Sequence, residues 1–186
     1  FHSSAYPPKS ECAKILTLAI AILMTHSGEE VAMFGNRRKG RSESALQRIE
    51  SDLLGKPDDT ATLPQHVSLP KNSGIVLIGD FLEAPETIEK NFLSFTGHGG
   101  GMVIQILDPA EIELPYDGRI IFEEPGAQQH ETIGNVTSIR EAYKQRIAEH
   151  LRFMENLCRS RDWPYFLHRT DRAIRDTLLH IWMETE

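Results

Sequence analysis

The sequence predicts an α/β domain: a doubly wound, mostly parallel sheet with helices on both faces and a small antiparallel hairpin excursion near residues 110–135. Three observations predict it. Strand-like and helix-like segments alternate along most of the chain. The runs "GIVLIG" (Gly74–Gly79) and "MVIQIL" (Met102–Leu107) are nearly continuous in apolar residues, as strands buried on both faces require. The segments between them carry apolar residues at helical spacing and are long enough for right-handed crossovers.

The elements follow in order. Pro7-Pro8 ends anything earlier, and Lys9–Ser27 has apolar residues at nearly every turn, which predicts a helix buried on most sides and stopped by Gly28. "EVAMF" (Glu30–Phe34) predicts a short strand, followed by a basic loop, Asn36–Arg41. Ser42 stands where it would cap a helix reaching about Leu54, with Leu46, Ile49, Leu53 and Leu54 on one face. Lys56–Ser73, broken by Pro57, Pro64 and Pro70, predicts a long connection.

After the strand ending at Asp80, a helix from about Pro85 to Phe95 turns Ile88, Phe92 and Phe95 inward. Beyond Leu107 the stretch "ELPYDGRIIFEEPG" has turn chemistry at Asp117-Gly118 and Pro125-Gly126, which predicts the hairpin. A long helix from about Ser138 to Arg161 points Ala142, Ile147, Leu151, Met154 and Leu157 inward. A strand at Tyr165–His168 and a helix capped by Asp171 and reaching about Met183 complete the order.

A chain of 186 residues is the size of a single domain, here read as residues 1–186. Its formal charge of -7 argues against general affinity for nucleic acid. The longest apolar run, "ILTLAIAILM" (Ile15–Met24), is half of the roughly 20 residues that cross a bilayer, so no membrane association is expected. Cys12 and Cys158 lie in helical patterns without metal spacing; buried reduced thiols and a cytoplasmic setting are expected.

Several motifs carry alternatives. Gly35–Ser42 has the spacing of a phosphate-binding loop between a strand and a helix, which keeps open a degenerate nucleotide-binding enzyme. Arg41, however, stands where that chemistry needs a compact ammonium, and Arg37, Arg38 and Lys39 fill the loop, so a solvated basic patch is the plainer reading. His98-Gly99-Gly100-Gly101 lacks the nucleophile elbow that an esterase requires; its glycines are expected to end a helix and start a strand. His168 is expected to bond nearby backbone. Asp80 is either a cap for the helix near Pro85 or a hard-cation ligand at the carboxyl end of a parallel strand. As a metal ligand it also keeps open a metal-dependent hydrolase.

"ILDPAEIELPYDGRIIFEEPG" (Ile106–Gly126) and "IREAYKQRIAEHLRFMENLCRSRDWPYFLHRTDRA" (Ile139–Ala173) strongly resemble the bacterial family called domain of unknown function 58. "SGEEVAMFG", "VLIGDFLEA" and the first helix resemble three further parts of it. The resemblance implies a von Willebrand factor A-like, Rossmann-like fold with a metal-ion-dependent adhesion site. In such a site Asp80 is the strand-end aspartate and Thr60 the nearest candidate for the threonine, with Thr62 as plausible. The D-x-S-x-S loop is expected immediately before Phe1, and the domain is expected to be truncated at its N-terminus. The resemblance further implies a protein-binding module and not an enzyme, weak or absent Mg2+ in this chain, and a MoxR-type AAA ATPase as partner in a chaperone-like assembly. An absent first strand would leave an open slot in the sheet, to be filled by an upstream peptide, by a strand from a second chain or by direct pairing of Glu30–Phe34 with Gly74–Gly79; homodimerisation by strand exchange is the first expectation and direct closure the next.

Overall fold

The computed structural model describes residues 5–34, 39–55, 69–70, 72–95, 99–115, 120–123, 130–133 and 136–185. Helix α1 (Lys9–His26) buries Cys12, Leu16 and Ile20, a stripe at four-residue spacing that faces the sheet. Ile15 and Ile22 are exposed, so α1 is covered along one stripe and not on most sides. Helix α2 (Glu43–Leu54) turns Ala45 and Ile49 inward, while Leu54 points to solvent. Ser42 stands at its N-cap without a side-chain capping bond.

Three strands make the main sheet: β1 (Ile75–Gly79), β2 (Gly101–Leu107) and, late in the chain, Tyr165–Arg169. Their order is β1, β2, then Tyr165–Arg169, with both pairings parallel. Helix α3 (Pro85–Leu93) connects β1 to β2. Gly101 opens β2 where any Cβ would come within 2.8 Å of the Trp163 ring, so only glycine fits there.

Beyond β2 the short helix α4 (Pro109–Glu113) precedes a two-stranded antiparallel hairpin, β3 (Ile120–Glu123) with β4 (His130–Ile133). The hairpin was legible; α4 was not. The long helix α5 (Val136–Arg159) then leads to the third parallel strand, β5 (Tyr165–Arg169), and to α6 (Ile174–Thr185). Ala142 of α5 is exposed, and its neighbour Tyr143 takes the inward position.

The sheet is covered on both faces. On one, α3 and α5 close an aromatic core of Phe81, Phe92, Phe95, Trp163 and Met154 over Ile75, Leu77 and Val103. On the other, α1 and Ile181 of α6 close an aliphatic core over Met102, Ile104, Ile106 and Phe166. Cys12 and Cys158 are buried and free, one in each core. No helix among the described residues is long and apolar enough to cross a membrane.

Glu30–Phe34 and Asp171 also depart from expectation. Glu30–Phe34 is not a strand of the sheet. Val31 exchanges backbone bonds of 3.0 and 3.2 Å with Gly40 of its own loop, and Glu30 is paired with Lys39 at 2.5 Å. The segment therefore folds back on itself, and β1 pairs with β2 alone among the described residues. Asp171 does not cap α6, which begins three residues later. The Arg169 guanidinium takes both carboxylate oxygens of Asp171, at 3.0 and 2.8 Å, and that charge-assisted fork outcompetes a cap.

Candidate strand-end site

All three parallel strands end on one edge of the sheet. Asp80 follows β1, Asp108 follows β2 and Thr170 follows β5. In open α/β sheets this carboxyl edge is where ligands gather.

The position of Asp80 is fixed by its neighbours. Gln105, fully buried in β2, donates from Nε2 to the Asp80 carbonyl at 2.7 Å and accepts from the Tyr165 hydroxyl at 2.6 Å. The next residue, Phe81, has φ +48°, a left-handed conformation that costs a bulky residue energy. It is held there by burial of its ring and by His150 Nε2, 2.7 Å from its carbonyl oxygen. The chain thus turns sharply after β1 and leaves the Asp80 side chain 47% exposed on a rigid backbone.

Asp80 does not cap α3, whose N-cap is Ala84. Lys9 Nζ, at the first position of α1, donates to Asp80 Oδ2 at 2.8 Å and to Glu111 Oε1 at 2.6 Å. Burial alone would pull the Lys9 ammonium down; the hydrogen bonds and charges of Asp80 and Glu111 outweigh it and hold the group above its ordinary value.

Glu111 and Asp108 are each 1% exposed and cap α4 reciprocally. Asp108 Oδ1 accepts from the Ala110 amide at 2.8 Å, and Glu111 Oε2 accepts from the Asp108 amide at 2.9 Å. Thr170 Oγ1 adds a bond to Asp108 Oδ2 at 3.2 Å. Above them the Tyr143 hydroxyl donates to the Glu111 carbonyl at 2.7 Å. Burial, then the charge of Glu111, pushes its pKa up to about 12. Beside them Arg169 joins Asp171 to Glu113, holding the Asp171 carboxyl below its ordinary range.

His168 faces the opposite layer. Its Nδ1 lies 2.8 Å from Thr177 Oγ1, a side-chain partner in place of the backbone expected. A groove of about 870 Å³ between α3 and α5, lined by Leu93, Arg152, Phe153 and Arg161, shares no residue with the strand-end cluster.

A divalent cation is the group that the resemblance implies for Asp80. Among the described residues no three His, Cys, Asp or Glu side chains converge as they would on a metal. The ammonium of Lys9 already stands on Asp80 Oδ2. With Lys9 in place, these residues do not fit a divalent ion. Thr60 and Thr62 lie outside the described residues, as do His98 and Gly35–Arg38.

Sequence reasoning thus located Asp80 at the strand end and missed Lys9, Gln105 and Glu111 beside it. One signal was available: "DPAE" (Asp108–Glu111) reads as a capping box with proline at the first helical position.

The model of a family described as "Protein of unknown function DUF58" matches residues 1–152. No curated protein and no solved structure matches the chain.

Proposed function

The chain belongs to the DUF58 family, and from that premise we propose that it is a protein-binding module and not an enzyme. Its partner-facing surface is the carboxyl edge of the parallel sheet, in a von Willebrand factor A-like arrangement. The observation that carries this reading is the ionic bridge Asp80–Lys9–Glu111, which presents a half-exposed carboxylate on backbone bonded to Gln105 and His150. These charges are committed to one another, whereas acid–base catalysis needs a group positioned to exchange a proton with substrate. Prearranged charge suits docking, where it sets partner choice and encounter rate.

A MoxR-type AAA ATPase is the partner class, in a chaperone-like assembly in the cytoplasm. The family resemblance of Ile106–Gly126 and Ile139–Ala173 supports that context. The test is direct binding between this protein and the MoxR-type ATPase of the same genome. Asp80→Lys should weaken the complex by at least about tenfold while leaving the circular dichroism spectrum unchanged, because a rim charge is reversed. Unchanged affinity in that variant would move the binding face elsewhere.

A further inference from the structure

Lys9 is an odd residue to find at the first position of a helix. The N-terminal end of a helix carries partial positive charge and favours acids, so an ammonium there is electrostatically misplaced. Pro8 at the N-cap offers it no compensation. Compensation comes instead from Asp80 and Glu111, 71 and 102 residues away in sequence, which both bond the same nitrogen. Glu111 is held from its other side by the Asp108 amide, and Asp80 by the Gln105 bond to its carbonyl. Two carboxylates, one just after β1 and one in α4, therefore meet on one cation.

We infer that the Lys9 ammonium is the resident cation of this edge, seated between Asp80 and Glu111 where a divalent ion would have to stand, so that partner recognition there is independent of metal. The inference rests on the reading of this edge as the binding face. Mg2+ requires oxygen ligands at about 2.0–2.1 Å and gives up water reluctantly. The carboxylate oxygens here stand at 2.8 and 2.6 Å from nitrogen, at hydrogen-bond distance. A divalent ion entering beside the ammonium would meet a like charge, and entering in its place would leave Lys9 without its partners.

The experiment is calorimetric titration of the full chain with MgCl2 and with MnCl2. The unsubstituted protein should show no saturable binding up to millimolar concentration. Lys9→Met should bind at least about tenfold more tightly, because the ammonium no longer stands on the Asp80 and Glu111 carboxylates. Lys9→Met combined with Asp80→Asn should lose that gain. Equal or tighter binding by the unsubstituted protein would overturn the inference, as would a Lys9→Met variant that is folded yet gains no affinity.

Should Lys9→Met fail to fold, the lysine side-chain NMR signal of Lys9 decides. It should stay unmoved by MgCl2 and shift in Asp80→Asn; a saturable MgCl2-induced shift would overturn the inference. Chelation separates the two proposals. Binding to the MoxR-type ATPase that survives EDTA supports a metal-independent edge. Binding abolished by EDTA overturns it while leaving the binding-module reading intact. If no complex forms at all, that reading fails, and the metal titrations still decide the role of Lys9.

Discussion

β1 and β2 end alike in sequence, each an apolar run closed by an aspartate, and they end in opposite states. β2 is paired on both sides, and its Asp108 is buried with both carboxylate oxygens accepting bonds from the protein. β1 is paired on one side among the described residues, and its Asp80 is half exposed on a sharply turned backbone. The capping role that the sequence offered to Asp80 belongs to Asp108. An apolar run followed by aspartate is thus not a site signal by itself; the neighbours decide. A central strand buries its terminal carboxylate among donors, and the strand paired on one side leaves its carboxylate half exposed, with the Lys9 ammonium as its partner.

The largest consequence concerns the open side of β1. A parallel strand packed on both faces but, among the described residues, paired on one edge invites strand addition. Light scattering on the chain should give a mass near twice its 21.1 kDa. A 21.1 kDa species at all concentrations would show that this edge of β1 is inert.

Next in size is Lys9→Met. Removing the ammonium takes the Lys9 bond away from Glu111, whose side chain is 2% exposed. Breaking a buried ion pair by removing one partner costs about 3–5 kcal/mol, and partial exposure of Lys9 places the loss near the lower figure. Urea unfolding measures it. A loss under about 1 kcal/mol would mean that the bridge behaves as a surface pair.

The end of β5 supplies the smallest effect. Burial lowers the His168 pKa, with Asp171 opposing, and its Nε2 is buried without a hydrogen-bond partner among the described residues. The folded protein therefore binds fewer protons at this site than the unfolded chain does. Its contribution is complete above the unfolded value of about 6.5 and is lost as pH falls through that value towards the lowered folded one. Melting temperature should decline from pH 7 to pH 5, and His168→Gln should flatten part of that slope. An unchanged slope would assign the acid sensitivity to other groups.

Much of the fold was legible because it follows from local pattern. Ile88, Phe92 and Phe95 are buried as their spacing predicts, β2 is the expected apolar strand, and the hairpin falls within the expected stretch. Glu30–Phe34 was misread because strand propensity does not choose a partner, and Val31 found Gly40 in its own loop. Ala142 in place of Tyr143 is an error of one residue in helical phase. The site was half legible. Asp80 could be read from the end of its strand, but the Lys9–Glu111 bond spans 102 residues and leaves no periodic trace. Asp171 looked like a cap until Arg169, two residues before it, claimed its carboxylate.

The central claim is that Asp108 is a buried structural cap and Asp80 a half-exposed partner of Lys9 on the sheet edge, and paired urea titrations of Asp80→Asn and Asp108→Asn test it most directly. Asp80→Asn should lie within about 1 kcal/mol of the unsubstituted protein, as expected for a half-exposed ion-pair partner. Asp108→Asn should cost about 2 kcal/mol, because its buried network with Ala110 and Thr170 loses a charged acceptor. Equal losses, or a larger loss at Asp80, would contradict the account.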